Sequence, residues 1–303
     1  MASSSVSSTI ELNNSSIRLT GPYGDWRDDL ASQGYVVIKN AIPQERAQQY
    51  QQKALDWLKS FSPSLDLNDP STWREENLPA THKFNLFKHY SVTHEKFMWE
   101  ARQEPKDKPP NKPWPHVDQS PLRRGLHCVQ GIINLSPAGP EDGSLILLPR
   151  SNTVTEKFFD EQTDPSTWLK NDFRSISETE MDWFKDKGME PIKVLADPGD
   201  LILWDSRTVH WGGEPTAQSD TIRTVIYASY SPASMASKET LEAKQTAFRS
   251  YGATTHWAHD NVVLRDLLVY LPDGTVDPRN RAKPLEEAEH TDQMLKLAGM
   301  KPY

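Results

Sequence analysis

Two rhythms of apolar and polar residues run through this chain, and they predict different elements. After a Gly34 turn, Tyr35-Val36-Val37-Ile38 is a β-branched run that predicts a short buried strand. Pro43 then opens a helix, because its fixed φ and missing N–H suit a first turn. Ala47, Tyr50, Ala54 and Leu58 recur at helical spacing and mark its buried stripe. Residues 62–82 are rich in Pro, Asp, Asn and Ser and predict a loop. The middle of the chain reads as strands over 126–135, 144–148, 192–195, 200–204 and 221–230. The Pro/Gly/Glu/Asp turn at 137–143 predicts a hairpin-like connection, and Pro198-Gly199 a tighter turn. Residues 237–249 and 284–298 predict helices, the first N-capped by Ser237 and the second ended by Gly299.

Short strands in the middle with helices at both ends give an α+β fold around a barrel. The expected layout is a flexible tail over 1–18 and one domain over 19–303. Within it, residues 153–190 are expected as an insertion or solvated flap of short helices, rich in acids and aromatics.

Composition narrows the function classes. Lys plus Arg number 34 against 42 Asp plus Glu, a net charge of −8. No basic cluster is present to meet a phosphate backbone, so no nucleic-acid partner is expected. No apolar run reaches membrane-spanning length, and no polybasic patch suggests a membrane surface. Cys128 is the single cysteine, which excludes an internal disulfide and favours a reducing compartment. The first residues are Ser/Asn-rich without an apolar signal core, so the expected location is cytoplasmic.

The chemistry concentrates in His116-Val117-Asp118, followed by His210 and then Arg223. Side chains two apart on a strand share a face, so His116 and Asp118 can grip one metal ion. His210, brought from a distant strand, would complete a two-His-one-carboxylate set, the facial ligand pattern of non-heme Fe(II) oxygenases. A His-x-Asp alone is more often a surface turn. The context is stronger: a Pro-rich lead-in over 104–115, a following strand, and a Pro-Gly turn plus apolar strand before His210.

The order His116-x-Asp118, then Pro198-Gly199-Asp200-Leu201 with Asp205, His210 and Arg223 resembles the phytanoyl-CoA dioxygenase (PhyH-like) family of Fe(II)/2-oxoglutarate-dependent dioxygenases. The resemblance runs from about Leu30 to about Tyr230 and includes Gln33-Gly34-Tyr35 and the 143–149 segment. It implies a double-stranded β-helix (a jelly-roll, cupin-like barrel) with flanking N- and C-terminal helices. It further implies Fe(II) held by His116, Asp118 and His210, with 2-oxoglutarate and O2 as cosubstrates and Arg223 paired to the distal carboxylate. An arginine suits that task, being a planar, permanently charged fork. The chain departs from the family pattern at 149–152, where Pro-Arg-Ser-Asn replaces a common Pro-Gly-Ser-His. It departs also at Gly212, where a Ser or Thr is frequent, and at Trp114, where some relatives carry Gln. Gln130 is the substitute cosubstrate contact, with Lys83 and Asn85 behind it. Because Asp118 is retained, halogenation is disfavoured, leaving hydroxylation, desaturation or cyclisation.

Trp114 and Trp211 adjoin the ligand positions and are candidates for lining a substrate site, with core packing as the alternative. Trp204 reads as core. Arg123, Arg124 and Arg150 read as surface, with pairing to a substrate carboxylate as the alternative, His127 as a packed histidine, Cys128 as a small buried residue, and His256 and His259 as structural residues or parts of a C-terminal lid. The expected ligand is a small organic molecule, a secondary metabolite or an amino acid. A Zn- or Mn-dependent enzyme and a non-catalytic metal-binding domain are the competing classes. Nothing in the residues sets an oligomeric state.

Overall fold

The computed structural model describes residues 16–80, 88–103, 114–260, 262 and 268–303. Lys83 and Asn85, most of the N-terminal tail and most of the Pro-rich lead-in lie outside them. The chain runs α1 (Trp26–Gln33), β1 (Tyr35–Ile38), α2 (Gln44–Lys59), α3 (Lys96–Gln103), β2 (His116–Val117), β3 (Val129–Asn134) and β4 (Ser144–Leu147). It continues with α4 (Thr155–Gln162), β5 (Arg174–Ser175), α5 (Glu178–Lys185), β6 (Ile192–Lys193), β7 (Leu201–Asp205), β8 (His210–Gly213) and β9 (Val225–Tyr230). Two more helices follow, α6 (Lys238–Arg249) and α7 (Asp292–Leu297).

The strands form two antiparallel sheets, ordered β1-β7-β3-β9 and β5-β2-β8-β4-β6. Strand alternation divides their side chains between two environments. Ile132, Ile202 and Trp204 of the four-stranded sheet pack with Leu145 and Leu147 of the five-stranded one, so the sheets meet face to face. Ile133 and Ile226 point the other way and are covered by Ala47, Tyr50 and Trp57 of α2 and by Phe97 and Ala101 of α3. Ala47, Tyr50, Ala54 and Leu58 of the anticipated stripe all face that cluster.

Two sequence expectations change here. The 126–135 and 144–148 segments are strands, but they do not pair as a hairpin. β3 already has β7 on one side and β9 on the other, so the chain crosses to the opposite sheet, where β4 lies between β8 and β6. The Pro198-Gly199 turn also crosses between sheets, joining β6 to β7. Gly199 sits at φ +92°, and a Cβ there would lie 2.2 Å from the Ile42 carbonyl oxygen. Only glycine fits that crossing.

The C-terminal helix is also shorter than its periodicity predicts. Lys96 N–H donates to the Glu286 carbonyl, and the Glu95 carboxylate accepts from the N–H groups of Leu285 and Glu286. Those bonds hold the segment extended until Thr291 caps α7 through the Met294 N–H.

Residues 153–190 are helical as anticipated, but they are packed rather than loosely solvated. Phe158 and Phe159 of α4, Ile176 just after β5, Met181 and Phe184 of α5, and Met189 bury against Val117, Val209 and Trp211 on the outer face of the five-stranded sheet. β5 adds the segment to that sheet beside β2. Phe158→Ala is expected to cost about 3–5 kcal/mol in urea unfolding, the range for truncating a buried aromatic. An unchanged midpoint would mean that the segment is a detachable flap.

Candidate metal centre

β2 and β8 are antiparallel neighbours in which His116 and His210 are direct register partners. Cross-strand partners share a face, so pairing alone brings the two imidazoles together. Their ring centroids are 4.3 Å apart. Asp118 follows β2 by one residue, its backbone N–H donating to the Ser206 carbonyl at 3.1 Å. Its Oδ1 lies 3.6 Å from His116 Nε2 and its Oδ2 3.3 Å from His210 Nε2. The donor atoms of all three lie within 4.8 Å of one another, the one such group among the described residues.

The tautomers follow from the backbone. His116 Nδ1 faces the Trp114 carbonyl at 3.0 Å, and His210 Nδ1 faces the Thr208 carbonyl at 2.8 Å. A carbonyl only accepts, so each Nδ1 carries a proton and each Nε2 is the ring nitrogen turned towards Asp118. Burial, then the neighbouring His116, lowers the His210 pKa and keeps that ring neutral. Burial pushes the Asp118 carboxyl up, but the imidazoles of His256 and His116 hold it well below its ordinary value. Two ring nitrogens and a carboxylate therefore converge on one point, an arrangement that a cation satisfies once both Nε2 atoms are unprotonated. Donors bound at about 2.0–2.2 Å around one ion sit roughly 3.0–3.6 Å apart, as the two histidine–Asp118 pairs do. Two imidazoles and one carboxylate are a donor set suited to Fe(II).

The surrounding residues hold this set in place. Gln130, the residue expected at the cosubstrate, donates from its Nε2 to Asp118 Oδ2 at 2.9 Å and so orients that carboxylate. Ser151 Oγ accepts the Val209 N–H at 2.9 Å and steadies the start of β8. That turn differs from the family's at Arg150, which takes φ +68° where a glycine is common. Trp114 stacks on the His116 ring at 4.1 Å with an interplanar angle of 3°, and Phe173 lies 5.0 Å from the same ring. Trp211, one residue from His210 and hence on the other face, is part of the outer aromatic cluster rather than the space between the sheets. Trp204, expected as core, is core and also lies 5.2 Å from His210. Arg223 precedes β9, and its guanidinium nitrogens are buried.

Other residues depart from their sequence reading. Arg123 is 1% exposed, not a surface residue. It binds Asp172 through two N–H groups at 2.7 and 2.9 Å and Asp260 at 2.7 Å, and it lies over Trp257. Arg124 is exposed and paired with Asp160. Cys128 is buried, and burial pushes its thiol well above the ordinary range, beyond reactivity at neutral pH. His256, placed by the C-terminal segment, acts electrostatically on Asp118, and its backbone carbonyl accepts from Cys128 Sγ. No spacing rule linked it to residues 116–118.

His259 is 2% exposed and stands beside His127 and Trp257. Burial pushes its pKa down to about 4. The unfolded chain therefore binds the extra proton first, and stability falls as pH drops from about 6.5 towards 4. At pH 5 this residue alone is expected to cost about 2 kcal/mol relative to pH 7. Urea midpoints of wild type and His259→Phe at both pH values check it: the substitution should flatten the loss, and equal slopes would refute it.

Comparison with known proteins adds the following. The sequence pattern of the phytanoyl-CoA dioxygenase (PhyH) family matches residues 80–225. The Ava biosynthesis cluster protein O of Aspergillus versicolor is 38% identical over 270 residues, covering 78% of this chain and 87% of that protein. A crystal structure of a Salmonella typhimurium LT2 protein is similar with a TM-score of 0.53 at 13% identity, covering 89% of this chain and 81% of that one. EctD from S. alaskensis with 2-oxoglutarate and 5-hydroxyectoine is similar at a TM-score of 0.42 and 12% identity, covering 74% and 82%.

Proposed function

The chain belongs to the phytanoyl-CoA dioxygenase (PhyH) family, and we propose that it is an Fe(II)- and 2-oxoglutarate-dependent dioxygenase of a small secondary metabolite. The observation that carries this reading is the convergence of His116, Asp118 and His210, with both Nε2 atoms turned to the carboxylate. In this reading the two facing sheets are the halves of a double-stranded β-helix.

Each residue has a part. His116, Asp118 and His210 would hold Fe(II) through two imidazole nitrogens and a carboxylate oxygen. Gln130 orients Asp118, and the carbonyls of Trp114 and Thr208 orient the two rings. Arg223 takes the distal carboxylate of 2-oxoglutarate, for which a buried guanidinium is a bidentate partner. When bound, iron with 2-oxoglutarate and O2 supplies a two-electron oxidation of the substrate together with release of succinate and CO2. The Trp114 and Phe173 rings cover His116 from the outer side and keep water from it. Retention of Asp118 favours hydroxylation, desaturation or cyclisation over halogen transfer.

The name of the Aspergillus versicolor relative supports a place in a biosynthetic cluster, hence a secondary metabolite as substrate. A cytoplasmic location without membrane or nucleic-acid partners is part of the proposal. Among the described residues no helix is long and apolar enough to cross a membrane.

Anaerobic addition of Fe(II) and 2-oxoglutarate is expected to give a visible charge-transfer absorption, and air should then yield succinate. Asp118→Ala should remove both signals while leaving the fold intact by circular dichroism. A wild-type protein that binds Fe(II) but shows neither the band nor succinate would end the reading.

A further inference from the structure

Asn134 carries the most anomalous polar group in the space between the sheets. It is 0% exposed, and among the described residues neither its Nδ2 nor its Oδ1 has a hydrogen-bond partner. Native interiors leave few polar groups in that state, so a buried amide with both ends unmet points to a missing partner. Local structure does not explain the residue. Asparagine is a poor strand former, and here its backbone is fully committed, the N–H donating to Asp200 and the carbonyl accepting from Gly199. The side chain therefore caps no turn.

Its direction is set by strand alternation. Gln130, Ile132 and Asn134 share one face of β3. Gln130 on that face reaches Asp118, and Ile132 lies in the core between the sheets. Asn134 thus projects into the same interior, further from the metal centre than Gln130. Its register partner on β9 is Val225, two residues after Arg223. An extended chain turns Arg223 to the same face as Val225, and the buried guanidinium has the length to reach back along the strand.

We propose that Asn134 is a second anchor for the distal carboxylate of the 2-oxo acid, its Nδ2–H donating beside the Arg223 guanidinium. Asn134 then helps select a five-carbon 2-oxo diacid over 2-oxo acids without a second carboxylate. This rests on the ferrous, 2-oxoglutarate-dependent reading above. An amide suits the place because it adds a donor without adding a second buried charge. Its Oδ1 can accept from an arginine N–H or an ordered water.

The test is anaerobic titration of the Fe(II)-loaded protein, followed by charge-transfer absorption. The two probes are 2-oxoglutarate and 2-oxobutyrate, which share the chelating head but differ in the distal carboxylate. Asn134→Leu is expected to weaken 2-oxoglutarate by about tenfold or more and to leave 2-oxobutyrate within about twofold, since a hydrogen bond to a charged group is lost. The isosteric Asn134→Asp, whose carboxylate competes for Arg223, should lose 2-oxoglutarate more severely and still bind 2-oxobutyrate. Ligand-free Asn134→Leu should melt at or above the wild-type temperature, because it removes an unmet polar group from the interior. Unchanged 2-oxoglutarate affinity in both variants would overturn the inference, as would parallel loss of both probes or a large drop in melting temperature. A wild-type protein that gives no band with either probe would overturn the parent reading as well.

Discussion

The site rests on a single cross-strand pair. His116 opposite His210 is the one register contact joining β2 to β8, and β2 is only two residues long. A strand that short has little stability of its own, so its neighbours must fix it. β5 pairs with its other edge, and Val117, Val209 and Trp211 bury beneath the aromatic cluster of residues 153–190. A one-residue slip would turn His116 into that cluster and expose Val117 to the metal position. The apolar packing behind the sheet therefore specifies the ligand geometry in front of it.

Electrostatics reinforces this arrangement from a second direction. Arg123 ties Asp172 to Asp260, and so joins the segment carrying Phe173 to the C-terminal segment carrying His256. Buried ion pairs contribute little net stability, because desolvation offsets their attraction. Their value here is positional. Phe173, one residue after Asp172, lies against His116, and Trp257 packs under the Arg123 guanidinium. The three segments around the centre are thus clamped by a network that would be costly to break singly.

Several parts of this organisation were legible in the residues and others were not. The β1 strand, the α2 stripe and the pairing of His116 with Asp118 follow from periodicity and spacing, because the constraints on them are local. His210 follows instead from the order of motifs that resembles the family. Which strands pair is not local. The 137–143 turn resembles a hairpin loop, yet β3 has both edges occupied by strands distant in sequence. The reading of Arg123 as surface failed for the same reason, since its partners lie 49 and 137 residues away. The extended stretch before α7 went unforeseen because Glu95, far upstream, supplies the carboxylate that competes with helix formation. Trp211 shows the opposite case: simple alternation from His210 places it outside the inter-sheet space.

The division between chemistry and specificity follows from the same geometry. The three ligand positions and Arg223 all fall inside the 80–225 stretch that matches the family pattern. The residues that approach the centre from beyond that stretch are of another kind. Tyr227 and Ser229 lie on the face of β9 that also bears Val225, beside Ile132 and Gln130 of β3. His256 reaches Asp118 electrostatically from the segment clamped by Asp260. A metal set must satisfy fixed ligand distances, so its residues admit little variation in type or place. The wall facing a substrate has no such requirement. β9 and the segment carrying His256 lie outside the ligand set and carry no such constraint.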